Sequence, residues 1–191
     1  MQFVRLSIAL LIGVFYVDFS MAEDWPQWRG PTRDGVWHET GIISKFESDE
    51  IPLKWRVPVG SGYSAPTVAD GLVFLTDRIP EPVQIERVLC FNEQTGETVW
   101  EYTYECAYKI GYTAGPRAAV TVVDGKAYAL GAMGHFHCFE ASTGKVLWQH
   151  DLNVEYDIQM PIWGIAGSPL IAVSYTHLRA HETREDRVCR G

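Results

Sequence analysis

A few residues of this 191-residue chain have the chemistry to bind or react. Arg78 and Arg117 offer guanidinium forks, and Tyr63 and Trp163 offer flat rings, a set suited to an anionic or planar ligand. Each of the four can equally serve to pack one loop on the next. His135 and His137 alternate in GHFHCFE, so on a strand both face one way, as paired metal ligands do. No third ligand accompanies them, and we read them as ordinary strand histidines, with no metal expected. Glu155 and Asp157 are an acidic pair of the kind that joins a Ca²⁺ site or simply sits in a solvated loop. No residue stands out as a catalytic base or nucleophile.

The elements that must position these residues show up as a repeat. FNEQTGETVW at 91–100 returns as FEASTGKVLW at 139–148. Asp70-Gly71 and Asp124-Gly125 each sit between two apolar segments, a strong short hairpin signal because Gly accepts positive φ. The first copy is APTVADG, LVFLTD, ERVLCFN and ETVWEYTYE; the second is AAVTVVDG, KAYALGA, GHFHCFE and KVLWQHDLN. Trp55, Trp100 and Trp148 are 45 and 48 residues apart, and a third copy opens at IAGSPLIA. Four short strands recurring near every 48 residues predict an all-β fold, a β-propeller of four-stranded antiparallel blades. A β-sandwich gives no reason for the same turn and tryptophan to return at a fixed period. Cys90 and Cys138 hold equivalent places in adjacent blades, whose sheets lie ~10 Å apart, too far for the ~5.5 Å Cα separation of a disulfide. With Cys106 they are expected to be small buried fillers.

CFNEQTGETVW and CFEASTGKVLW resemble the tryptophan-docking motif of pyrroloquinoline quinone (PQQ)-type propeller repeats, Ala-x-Asp-x-x-Thr-Gly-x-x-x-Trp. Thr95, Gly96 and Trp100 match it, as do Thr143, Gly144 and Trp148, while Cys90 or Cys138 replaces Ala and Asn92 or Glu140 replaces Asp. Trp55 in PLKWRVPVG holds the docking place of a strand D at 53–59 that lacks its own A, B and C strands. DWPQWRGPTRDGV is similar to the leader of secreted PQQ-like repeat proteins of planctomycete type. The resemblance implies a quinoprotein alcohol dehydrogenase-like propeller, a monomeric ring of seven or eight blades of which this chain holds about two and a half. The expected units are a leader at 23–52, the ring-closing strand at 53–59, blades at 63–105 and 117–151, and the start of a third at 165–171.

In such blades the D-to-A and B-to-C connections share one face, here 60–66, 78–85, 106–117 and 152–169. These loops are long and aromatic, and they carry Tyr63, Arg78, Arg117 and Trp163. Three functions are compatible with the resemblance. The chain is a scaffold holding a protein or small-molecule ligand on that face, or the N-terminal part of a PQQ-dependent alcohol dehydrogenase, or a propeller like the outer-membrane protein assembly factor. PQQ and Ca²⁺ are implied by the resemblance alone; the catalytic base and the adjacent Cys-Cys pair of the dehydrogenases have no counterpart here.

Both ends differ from the middle. MQFVR, the apolar run LSIALLIGVFYV and Ser20-Met21-Ala22 form an export signal with cleavage after Ala22. The apolar run is shorter than the ~20 residues of a membrane span, and no cysteine marks a lipoprotein, so a periplasmic or secreted protein is expected. VSYTHLRAHET, from Val173, coincides with the translation of a transposase adapter used in sequencing libraries, and 172–191 is expected to be a non-native tail. The tail has four Arg against three acids and the signal one of each, so the formal charge of −8 becomes −9 over 23–171. Such an acidic chain lacks the basic face that nucleic acid or an anionic membrane would need.

Overall fold

The computed structural model describes residues 23–42, 45–46, 51–110 and 114–172. The export signal and nearly all of the tail lie outside the described residues. The first sheet has strands β1 (Thr67–Ala69), β2 (Leu72–Ile79), β3 (Ile85–Asn92) and β4 (Thr98–Glu105) in sequential antiparallel order. The second repeats the order with β5 (Thr121–Val123), β6 (Lys126–Leu130), β7 (His135–Glu140) and β8 (Val146–Asp151), followed by the short helix α1 (Leu152–Tyr156). Two meandering four-stranded sheets side by side are two propeller blades, as the period predicts.

The turns carry the strand order. Asp70 and Gly71 have φ of 52° and 74°, and Asp124 and Gly125 have 49° and 69°. Two consecutive positive φ values make the mirror-image turn whose twist matches the flanking strands. In the β3–β4 turn, Asn92 Oδ1 accepts from the amides of Gln94 and Thr95 at 2.9 and 3.0 Å, and the Gly96 amide donates to the Asn92 carbonyl at 2.8 Å. The β7–β8 turn keeps the backbone bond, from Gly144 N to the Glu140 carbonyl at 2.9 Å, while Thr143 Oγ1 donates to the Glu140 carboxylate. Each sheet shifts register at the same place, between Cys90 and Phe91 and between Cys138 and Phe139.

A single apolar core joins the sheets. Phe74, Val88, Cys90 and Trp100 of the first meet Val120, Val122, Ala127, Ala129 and Phe139 of the second. Alternate residues of β4 lie against alternate residues of β7. Trp100 packs on Phe139 with ring centroids 5.4 Å apart, Tyr102 on His137 at 5.1 Å, and Tyr104 on His135 at 5.1 Å. Aromatic pairs at such separations contribute about 0.5–1.5 kcal/mol each beyond their buried area. Both histidines of GHFHCFE thus serve the contact between blades.

The flanking segments complete the inner edge without forming strands. Trp25 and Val68 exchange backbone hydrogen bonds at 2.9 and 3.0 Å, and Val122 N donates to the Pro26 carbonyl at 2.8 Å, so the leader touches the innermost strand of each sheet. Residues 53–59 have no strand partner among the described residues, yet Trp55 and Val57 are half-buried while Lys54, Arg56 and Pro58 are exposed. That alternation is strand-like, and the side-chain dockings rather than a backbone ladder hold it. Residues 165–171 likewise form no strand, but Ser168 accepts from the Ala119 amide just before β5 and the Pro169 carbonyl accepts from Thr121 of β5.

Candidate functional site

Three of the residues singled out in the sequence converge at the loop face. The Tyr63 amide donates to the Pro116 carbonyl at 2.8 Å, which ties the loop before β1 to the loop before β5. Glycine permits this approach, because a Cβ on Gly115 would stand 2.5 Å from the Ser61 carbonyl oxygen. The Arg117 guanidinium then lies 4.4 Å over the Tyr63 ring and 5.8 Å from the Trp163 ring, and its Nε donates to the Trp163 carbonyl at 3.0 Å. Arg117 Nη2 is buried without a hydrogen-bond partner among the described residues. One cation between two rings, each ring from the loop of a different repeat unit, is an arrangement for receiving an acceptor group.

Arg78 stands apart from this trio. It is 7% exposed, its Nη2 donates to Gln84 Oε1 at 2.6 Å and to the Tyr108 carbonyl at 3.0 Å, and its guanidinium lies 4.4 Å over the Tyr108 ring. Tyr108 in turn donates its hydroxyl to Glu86 Oε1 at 2.6 Å, and Tyr104 donates to Oε2 at 2.6 Å. Glu86 is 1% exposed and faces the second blade, where a Cβ on Gly131 would come within 2.4 Å of Oε2. Burial, reinforced by the Glu86 charge, pushes the Tyr104 and Tyr108 hydroxyls up, so both stay protonated and act as donors. The role of Glu86, Tyr104 and Tyr108 was missed in the sequence. The available signal was an acid at an inward position of IERVLCFN, directly across the ladder from Arg78. On the opposite face Arg87 holds Asp77 through two hydrogen bonds, at 2.8 and 2.5 Å.

The remaining candidates are inert. Burial, with a smaller push from His135, lowers His137 to about 4, so it is neutral. Cys106 Sγ lies 3.6 Å from His135 Nδ1, but burial pushes the thiol up to about 12, and a neutral thiol is a poor nucleophile. Cys90, Cys106 and Cys138 are all free and buried. Glu155 pairs with His150 at 2.9 Å, and Asp157 takes φ 48° at the end of α1. Among the described residues no three His, Cys, Asp or Glu side chains are placed to hold a metal ion.

The described residues do not assemble a site for the quinone that the sequence resemblance implies. Arg117 stacks on Tyr63, and Arg78, the other cation of the expected face, is committed to Gln84 and Tyr108. No carboxylate trio is available for an accompanying Ca²⁺ among the described residues.

Repeated four-stranded antiparallel blades, with loops of successive units gathered at one face, define a propeller-repeat protein. Residues 84–172, a little under half of the chain, match the PQQ_2 family, described as outer membrane protein assembly factor BamB, so this part is similar to PQQ-like repeats. Solved structures similar to the chain include BamB from Moraxella catarrhalis, at 19% identity and a TM-score of 0.36, covering 51% of this chain and 26% of that one. A europium-containing methanol dehydrogenase matches at 18% identity and a TM-score of 0.40, covering 52% of this chain and 18% of the other. The quinohemoprotein alcohol dehydrogenase ADHIIG from Pseudomonas putida HK5 matches at 21% identity and a TM-score of 0.42, covering 62% and 17%. The chain thus spans about a quarter or less of the length of these structures. No curated protein matches it.

Proposed function

We propose that this chain is an exported, non-catalytic binding scaffold that holds an acidic segment of a partner protein on the face formed by the loops before each blade. The observation that carries the reading is Arg117, held between Tyr63 and Trp163 with Nη2 buried and unpartnered among the described residues. Tyr63 and Trp163 are exposed, so an arriving segment meets two accessible rings, and its carboxylate brings the acceptor that Arg117 Nη2 lacks among the described residues. The family match over 84–172 supports a protein partner, since the family is described as an assembly factor. The commitment of Arg78, Glu86 and Asp77 to internal partners supports a scaffold over an enzyme, because these buried charges are occupied in holding the fold. The N-terminal sequence MQFVRLSIALLIGVFYV supports export.

The test is calorimetric titration of the purified protein with a panel of acidic hexapeptides, with PQQ plus Ca²⁺ in a parallel arm. Saturable binding of an acidic peptide is expected, weakened about tenfold or more by Arg117→Ala and partly restored by Arg117→Lys. Peptide affinity indifferent to Arg117, or binding of PQQ in place of peptides, would overturn the reading. Export is checked by N-terminal sequencing of the secreted protein, expected to start at Glu23.

A further inference from the structure

We propose that the gap between the inner ends of the two blades, beneath the leader, is a second binding site, one that takes a single aromatic ring bearing one polar or anionic substituent. Two equivalent junctions between repeat units differ. Where the second blade meets the segment after it, Thr121 Oγ1 donates to the Pro169 carbonyl at 2.8 Å and Ala119 N donates to Ser168 Oγ at 2.9 Å. One repeat earlier, Thr67 and Ala65 hold the places of Thr121 and Ala119, while Val120 and Ala119 stand where Pro169 and Ser168 stand later. Ala119 offers no hydroxyl to the Ala65 amide, and Thr67 makes no bond to the Val120 carbonyl. Thr67 is 1% exposed, and its Oγ1 has no hydrogen-bond partner among the described residues.

A cavity of about 200 Å³ lies at this place, lined by Ala65, Pro66, Thr67 and Ala119 and by Trp25, Gln27, Trp28 and Arg29 of the leader. The Gln27 side chain is already engaged, its Nε2 donating to the Pro31 carbonyl and its Oε1 accepting from Arg33. The leader is fixed over it by the bonds of Trp25 to Val68 and of Pro26 to Val122. The volume is below the ~300 Å³ at which drug-sized ligand sites begin, so it suits one ring. The walls select the ring's chemistry. Two indoles and two alanine methyls offer apolar and stacking surface, whereas a sugar ring would bring several hydroxyls to a site with one unpartnered buried hydroxyl, at a desolvation cost for each left unpaired. Arg29 donates to the Asp34 carbonyl and pairs with no carboxylate among the described residues, which leaves its charge for an anionic substituent. Leaving the Thr67 hydroxyl unpaired costs roughly what a lost hydrogen bond costs; the ligand's polar group satisfies it.

The site shares no residue with the Tyr63, Arg117 and Trp163 cluster, so its fate is independent of the scaffold reading. The probe is 4-hydroxybenzoate, titrated into the full chain by calorimetry and by ligand-observed NMR, with glucose as comparator. Saturable binding is expected, about tenfold weaker in Thr67→Val, whose side chain has nearly the same shape. It should also be weakened in Ala119→Ser, which adds a side-chain oxygen to the cavity wall and narrows the space, and unchanged in Arg117→Ala. Circular dichroism of each variant confirms that it is folded. No saturable binding of 4-hydroxybenzoate, binding that both Thr67→Val and Ala119→Ser leave unchanged, or glucose binding as tightly as the aromatic acid would overturn the proposal.

Discussion

The indole of Trp100 lies flat against Gly144 of the next blade, so close that a Cβ there would sit 2.5 Å from the ring, and its Nε1 donates to the Ala141 carbonyl at 2.8 Å. Trp55 does the same at Gly96, where a Cβ would come within 2.7 Å, and donates to the Glu93 carbonyl at 2.8 Å. Each tryptophan is thereby keyed to the Thr-Gly turn one repeat ahead of it. Trp100 is 8% exposed and Trp148, at the same place in the following repeat, 38%. Trp100→Ala is expected to cost roughly 3–5 kcal/mol in urea unfolding, the price of a large cavity in a packed core. Trp148→Ala should cost clearly less, and equal losses would refute the keyed contact as the source of stability.

The glycines of the two turns are constrained twice over. Gly96 and Gly144 have φ of 73° and 71°, and each also faces an indole. Gly144→Ala should therefore destabilise by more than the ~1 kcal/mol expected for positive φ alone. Gly125→Ala is the control, since Gly125 has φ 69° with nothing within 4 Å of the added methyl. Similar losses at the two positions in thermal melts would show that the indole contact adds nothing.

Glu86 depends on two tyrosines, and they on it. Glu86→Ala leaves two buried hydroxyls without their acceptor, and a destabilisation of about 2–5 kcal/mol is expected. Tyr104→Phe and Tyr108→Phe should each lose about 1–3 kcal/mol, as hydrogen bonds to a charged group do. In the Glu86→Ala background each tyrosine change should lose much less, because the acceptor is already gone. A double-mutant cycle in urea checks this, and full additivity would rule out the network.

Much of this architecture was legible in the residues. Asp70-Gly71, Asp124-Gly125 and the two Thr-Gly turns placed eight strands because positive φ and period-two burial are local properties of the chain. The pairing of His135 and His137 with Tyr104 and Tyr102 was not legible, since it depends on which faces of β4 and β7 meet across a blade boundary. The same holds for the loop face. Sequence chemistry placed Tyr63, Arg78, Arg117 and Trp163 in one group, but only packing shows three of them together and Arg78 turned inward to Gln84 and Tyr108. Residues 53–59 illustrate the reverse, a strand-like alternation read from sequence that has no neighbouring ladder to complete it among the described residues.

His137 makes the fold sensitive to acid. Its ring is packed against Tyr102, Tyr104 and Phe139, and burial, with a smaller push from His135, lowers it to about 4 from an ordinary 6.5. The unfolded chain therefore takes up a proton below about 6.5 that the folded chain refuses until about 4. The stability tied to this residue is complete above 6.5, falls as the pH drops between those values, and is lost below 4. The slope in that window should approach but not exceed ~1.4 kcal/mol per pH unit. His137→Phe is expected to flatten the limb in urea titrations from pH 7 to 4, and an unchanged slope would assign the acid sensitivity to other groups.

The three buried thiols report on opening of the blades. Burial pushes Cys90 and Cys106 up to about 12 and raises Cys138, and none is more than 3% exposed. Alkylation needs both access and a thiolate, so at pH 8 all three should be unreactive while the sheets are closed. Cys90 lies in the core joining the sheets and Cys138 is fully buried within β7, whereas Cys106 follows the end of β4, where its amide donates to the Gln84 carbonyl at 2.9 Å. Peptide mapping after iodoacetamide treatment in increasing urea should therefore detect Cys106 first and Cys90 and Cys138 together later, with the global transition. Labelling of all three at the same urea concentration would mean that the end of β4 opens only when the whole structure does, and rapid labelling without urea would mean that the core is not closed at all.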